Sequence, residues 1–377
     1  MLANGGTRLQ DDVQSGPIED GIVAAAGMFN PKSGRYDRFG DGRIICTGKP
    51  VSQDDYSVIT ARTDDSPAFQ RLRQRVGAIH LQQRLGIEED YERKVFGQGR
   101  NIFHIENWHF GHVIIRNSLR LLLLHGRGKR NARRIRTRHN RLSITNLPLA
   151  FEGYTILQIS DLHIDMAPDF PQVLIKAVRG VDYDLCVLTG DYRADTRGPC
   201  DAALDGLRLV RTHLDGDVYA VLGNHDSITM VPGMEDIGIR MLLNEHVVLA
   251  RGGVRLYLAG IDDPHYYRAD NLEKAADAIP VDATSILLAH SPEIYRHAAH
   301  AGFGAMLCGH THGGQICLPG GMPLSCNTGC PREYCAGAWR YRQLAGYTSA
   351  GSGACVVDVR LNCPPEITLH HLHRVAG

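Results

Sequence analysis

The run Ile156-Leu157-Gln158-Ile159-Ser160-Asp161-Leu162-His163 ends an apolar strand in a carboxylate and an imidazole two residues apart. Side chains two apart in an extended segment point the same way, so Asp161 and His163 are expected to reach one metal ion. Alone the pair means little, because Asp-x-His is a common solvated loop end. Further stretches repeat the arrangement. Leu188-Thr189 is followed by Gly190-Asp191, Val221-Leu222 by Gly223-Asn224-His225-Asp226, and Leu287-Leu288-Ala289 by His290. Met306-Leu307-Cys308 then leads into Gly309-His310-Thr311-His312-Gly313-Gly314-Gln315. Carboxylate, imidazole and amide oxygen are the mixed donors that manganese, iron or zinc accept. Each residue has an ordinary alternative: a core histidine for His290, a turn for Gly223-Asn224, a helix cap for Asp191. With nineteen histidines in the chain, only the ordered set carries weight. The glycines beside it let backbone approach the site closely.

Short apolar strands and amphipathic helices must position these groups. From Tyr154 onward the pattern predicts strands to Ser160, over Leu185–Thr189 and over Val218–Leu222, with helices around Pro171–Arg179 and Ala202–Leu214. Further strands are expected at Val247–Ala250, Val254–Ile261, Ser285–Ala289, Ala305–Cys308, Cys355–Val359 and Ile367–Leu372. That order defines an α/β domain, and so many strands favour two packed β-sheets flanked by helices over one open sheet. Ligands gather beyond the carboxyl ends of such strands, so the termini carrying the polar side chains converge in one crevice.

The remainder offers less chemistry. The chain has 377 residues, 43% hydrophobic and 22% charged, with 41 basic against 41 acidic side chains, so net charge points to neither nucleic acid nor membrane. Residues 1–105 read as a polar, poorly defined N-terminal extension of unknown function, with a helix expected over Ala68–Leu85. Residues 106–150 read as an apolar and arginine-rich linker. There Arg116, Arg120, Arg127, Lys129, Arg130, Arg133, Arg134, Arg136, Arg138 and Arg141 follow one another with no acidic residue between them. One reading is a solvated linker. Another joins the arginines to Leu119 and Leu121–Leu124 as a surface-docking segment for anionic lipid. Contact with nucleic acid finds no interleaved aromatics to stack on bases. No stretch approaches the run of about twenty apolar residues that spans a bilayer. Ten cysteines without framework spacing suggest reduced thiols in a cytoplasmic protein, with peripheral contact at the inner membrane face as the variant the arginines allow. Cys317, Cys326, Cys330 and Cys335 lack the paired Cys-x2-Cys spacing of a zinc knuckle and read as free thiols.

Asp161-x-His163, Gly190-Asp191, Gly223-Asn224-His225-Asp226, His290 and Gly309-His310-x-His312 together resemble the signature of the calcineurin-like metallophosphoesterases, over about Tyr154 to His373. Ile144-Thr145-Asn146-Leu147-Pro148, Gly260-Ile261-Asp262-Asp263-Pro264, His312-Gly313-Gly314-Gln315 and Arg360-Leu361-Asn362-Cys363-Pro364-Pro365-Glu366 resemble a bacterial phosphodiesterase branch grouped with UDP-2,3-diacylglucosamine hydrolases. The resemblance implies a four-layer sandwich over residues 151–377 and two divalent transition-metal ions. Asp161, His163, Asp191 and His312 would hold the first ion, and Asp191, Asn224, His290 and His310 the second. It implies in-line attack on phosphorus by a hydroxide between the ions, with His225 contacting a phosphoryl oxygen or protonating the leaving group. Protein Ser/Thr phosphatases of the superfamily carry Gly-Asp-x-x-Asp-Arg-Gly, whereas Ala194 stands here at the second aspartate, which argues against a phosphoprotein substrate. The expected function is hydrolysis of a phosphodiester or pyrophosphate, with a lipid-linked substrate as one candidate. A non-catalytic metal-binding scaffold and a nuclease using the arginine-rich segment are the alternatives.

Overall fold

The computed structural model describes residues 66–97 and 111–375, together with a short antiparallel pair, β1 (Phe29–Asn30) and β2 (Arg35–Tyr36). That pair belongs to a unit ending at Thr60, and the unit from Ala61 to Gly377 holds two six-stranded sheets. In the first sheet β3 (Arg136–Thr145), β14 (Glu366–Val375), β4 (Thr155–Ile159), β5 (Leu185–Thr189), β6 (Val218–Val221) and β7 (Arg240–Met241) lie side by side in that order. In the second the order is β12 (Gly337–Tyr341), β13 (Leu344–Thr348), β11 (Ala305–Cys308), β10 (Ser285–Leu288), β9 (Val254–Gly260) and β8 (Glu245–Arg251). β4 to β7 run parallel, as do β9, β10, β11 and β13, so their carboxyl ends share one rim of each sheet.

Alternation along the central strands explains the layering. Ile156, Leu185, Val187, Ile286, Leu288 and Leu307 fill the space between the sheets, whereas Leu157, Cys186 and Leu188 face the opposite way. On that outer face α5 (Phe170–Val178), α6 (Asp201–Arg211) and α7 (Val231–Asp236) pack; α5 buries Phe170, Leu174, Ile175 and Val178 at helical spacing. The outer face of the second sheet is covered by α8 (Leu272–Ala276) and α9 (Tyr295–His300) through Ala275, Tyr295 and Ala298. The chain is therefore an α/β sandwich of helix, sheet, sheet and helix, as its pattern predicts.

Several expectations are corrected. Residues 136–145, read as linker, are an edge strand paired along its length with β14. Only Asn140, Leu142 and Ile144 turn inward, while Arg136, Arg138 and Arg141 face solvent, and exposed charge on an edge strand blocks pairing with other chains. The helix expected over Ala68–Leu85 is two helices, α1 (Pro67–Val76) and α2 (Ala78–Gly97), broken at Gly77, whose φ is +93°. Phe69, Leu72, Val76 and Leu81 are buried but Ile79 is exposed, and the boundaries at 105 and 151 cut across one compact unit. Cys355–Val359 is a bend in which Val356 takes φ +65°, and the strands β12 and β13 replace it in the sheet. The remainder of residues 1–105 lies outside the described residues.

Between α2 and β3 come α3 (Gly111–Leu121) and α4 (His125–Ala132). Leu119 joins Val357, Val359 and Leu361 in a small apolar cluster, and Gly128 packs on Val359. Leu121, Leu122 and Leu123 stand exposed beside it. Among the described residues no helix is long and apolar enough to cross a membrane.

Candidate metal centre

The eight residues singled out by sequence lie together at the shared rim. Asp161, Asp191, Asn224 and His225 follow the ends of β4, β5 and β6; His290, His310 and His312 follow β10 and β11. Extended geometry is not what aims them. Asp161, His163, Asp191, His310 and His312 all take left-handed backbone, with φ between 40° and 72°. Such conformations cost energy for residues bearing a Cβ, and they cluster where side-chain direction matters more than local comfort. A Cβ at Gly223 would collide with Asp191 Oδ1, and one at Gly309 with Ser160 Oγ and Asp161 Oδ2, so both positions need glycine.

Two donor clusters result. Asp161, His163, Asp191 and His312 offer atoms within 4.8 Å of one another, as do Asp191, His290 and His310. Asn224 Oδ1 lies 2.9 Å from His290 Nε2 and 2.7 Å from His310 Nδ1. Asp191 faces both clusters, with Oδ2 3.6 Å from His163 Nε2 and Oδ1 3.3 Å from His290 Nε2. Each histidine has one ring nitrogen tied to the frame. His163 Nδ1 donates to Arg193 O at 2.8 Å, His290 Nδ1 to Thr189 O at 2.8 Å, and His310 Nε2 to Asn327 O at 2.7 Å. Fixing one nitrogen as a donor leaves the other as a lone pair aimed inward. His312 Nδ1 lies 3.1 Å from Arg360 Nη2, and that fully buried arginine also donates to the carbonyls of His312, Gly351 and Gly353.

These donors fit a cation. With His310 Nε2 donating to Asn327 O, the lone pairs of His310 Nδ1 and Asn224 Oδ1 lie 2.7 Å apart, and Asp161 Oδ2 is buried without a hydrogen-bond partner. Buried acceptors left like this are costly unless positive charge sits among them. Ionisation differs across the site, with a proton supplying the positive charge at His290. Burial pushes Asp161 up to about 7 and His163 down to about 3. At His290 burial opposes the charged form, but Asp191 outweighs it and holds the imidazole at about 10, while burial keeps His310 and His312 well below the usual histidine range.

His225 stands beside the first cluster, its Nδ1 donating to Ala194 O at 2.8 Å and its Nε2 4.0 Å from Asp191 Oδ2. Other contributors escaped the sequence reading. Asp226 accepts from the backbone N–H of Asp191, Gly223 and Tyr192, each at 2.8 Å, and so locks the ends of β5 and β6 together. Arg84, on α2, donates to Asp226 O at 3.0 Å. Asp226 and Arg360 lay within quoted motifs and carried that signal; Arg84 carried none.

Residues 154–314 match the family model described as calcineurin-like phosphoesterase, and this part of the chain belongs to that superfamily. Among curated relatives, the uncharacterized metallophosphoesterase YkoQ of Bacillus subtilis is 28% identical over 58% of this chain and 83% of its own length. The phosphodiesterase YaeI of Escherichia coli is 27% identical over 58% of this chain and 82% of its own length. A transmembrane protein with metallophosphoesterase domain from Bos taurus is 27% identical over 60% of this chain, which spans 54% of that relative.

Proposed function

We propose that this chain hydrolyses a phosphodiester or a pyrophosphate at two divalent transition-metal ions. The observation that carries the reading is the pair of adjoining donor clusters sharing Asp191. Asp161, His163, Asp191 and His312 would hold one ion, and Asp191, Asn224, His290 and His310 the other. Such a pair supplies an activated water and positive charge opposite the phosphoryl group. The chain's own part is positioning. Asp226, Arg193, Arg360 and the carbonyls of Thr189 and Asn327 hold the ligands, and His225, with Nε2 4.0 Å from Asp191 Oδ2, would contact a phosphoryl oxygen or the leaving group. The resemblance to a phosphodiesterase supports a diester, and Ala194 at the second aspartate of the protein-phosphatase pattern argues against phosphoproteins. Exposed Leu121–Leu123 beside exposed arginines support peripheral contact with an anionic lipid surface, and with it a lipid-linked substrate.

The test is hydrolysis by metal-reconstituted protein of an aryl phosphodiester, an aryl phosphomonoester and a nucleotide pyrophosphate, with Asp191→Asn as control. Diester or pyrophosphate turnover should exceed monoester turnover. Asp191→Asn should lose about a thousandfold or more, because roughly 4 kcal/mol of charge stabilisation leaves with the ions. Undiminished turnover in that variant, or turnover of the monoester alone, would defeat the proposal.

A further inference from the structure

Cys355, which the reading above leaves unused, forms a further small cluster with His163 and His312. Their donor atoms and the sulfur of Cys355 all lie within 4.8 Å of one another. The thiol is 3.6 Å from His225 Nε2, so it stands on the same side of the first cluster as the proposed phosphoryl contact. Asp161 belongs to the donor cluster that shares His163 and His312, and its Oδ2 is buried without a hydrogen-bond partner, as an atom facing a cation would be.

Cys355 is held there by the ligand loop itself. Gln315 clamps its backbone, accepting from Cys355 N at 2.8 Å through Oε1 and donating to Cys355 O at 2.8 Å through Nε2; the same Nε2 reaches Val357 O at 3.1 Å. On the near side of the bend Arg360 donates to Gly351 O and Gly353 O while also holding His312 O. The backbone segment bearing Cys355 therefore moves as one piece with the segment bearing His312. This gives the His312-Gly313-Gly314-Gln315 motif a physical task beyond supplying an imidazole.

We propose that Cys355 is a sulfur ligand of the first metal position, beside His163 and His312, an inference that rests on the metal-dependent reading above. On binding, the S–H bond breaks, a sulfur–metal bond forms and the proton passes to solvent, so no oxidant or reductant enters. The two positions then differ in kind. At the first, a sulfur added to Asp161, His163, Asp191 and His312 favours zinc or iron, whereas Asp191, Asn224, His290 and His310 offer no sulfur and accept manganese at the second.

Cobalt(II) loaded into the full-length protein tests this without reference to activity. Wild type should show ligand-field bands in the visible and a sulfur-to-cobalt charge-transfer band in the near ultraviolet. Cys355→Ser should lose the charge-transfer band and keep the ligand-field bands, and Cys326→Ser should keep both. A charge-transfer band absent from wild type, or persisting in Cys355→Ser, would overturn the assignment while leaving the metal centre standing. Absence of ligand-field bands would overturn both. A second measurement needs no variant: zinc should protect Cys355 from alkylation by iodoacetamide, read by peptide mass spectrometry, and equal labelling with and without zinc would count against ligation.

Discussion

Arg84 and the arginines between Arg116 and Arg141 stand in opposite environments. Arg84 comes from a stretch of sequence with no evident chemistry, yet it is fully buried. Its guanidinium lies 2.7 Å from Glu88 Oε1 and 3.3 Å from Asp262 Oδ2, sits 3.3 Å over the Tyr267 ring, and donates to Asp226 O. Glu88 in turn accepts from Ser227 Oγ at 2.5 Å and Ile228 N at 2.9 Å, so α2 grips three consecutive residues that follow Asn224 and His225 in the loop. In the arginine run every basic side chain but Arg133 is exposed. Arg133 alone is half-buried, between Asp169 at 2.9 Å and Asp358 at 2.5 Å. Charge density along a sequence marks where side chains can stay solvated. Partners and burial decide which cation shapes the site.

The largest effect that would break this contrast is on Arg84→Met. Removing one member of a buried ionic cluster strands the others, here Glu88 and Asp262, at a cost of about 3–5 kcal/mol. Urea unfolding should show that loss, and metal content should fall with it because Asp226 loses its brace. Stability and metal content like those of wild type would show that α2 is only a covering helix.

Asp262→Asn sharpens the same side of the comparison and adds a pH signature. Burial opposes ionisation of Asp262, but Arg84 and then His80 outweigh it, so its folded pKa lies below the ordinary value of 3.8. A depressed carboxylate pKa stabilises the fold above the unfolded pKa, and that contribution is lost as pH falls through the folded value. The variant should cost about 2 kcal/mol near pH 7, and the difference from wild type should shrink below pH 3.8. A difference independent of pH would assign the cost to packing.

The metal-capable residues were legible because each follows an apolar run short enough to be a buried strand, and strand order in an α/β sandwich brings such ends together. Their conformation was not: the shared direction expected of Asp161 and His163 comes from left-handed turns at both residues. Cys355 was hidden because Val356, Val357 and Val359 have strand propensity, which the bend overrides to place the thiol. Strand β3 was hidden because its solvent face carries arginines and only alternate residues of its second half are apolar. Arg84 was illegible for a simpler reason. Apart from Glu88 one turn along the helix, its partners lie at Asp226 and Asp262, and no local pattern encodes contacts so far along the chain.

The smallest effect on stability, and the one that tests the other half of the contrast, belongs to Arg120, Arg127 and Arg130. Replacing all three with serine should leave the unfolding free energy within about 0.5 kcal/mol of wild type, as is usual for exposed side chains. Binding to vesicles containing phosphatidylserine should weaken about a hundredfold, since each basic residue near an anionic surface contributes about 1 kcal/mol and 1.4 kcal/mol is tenfold. Exposed Leu121, Leu122 and Leu123 predict that some binding survives in high salt, because apolar insertion is not screened. Wild-type protein that ignores such vesicles would leave the run as a solvated face, and the leucines would then need another partner.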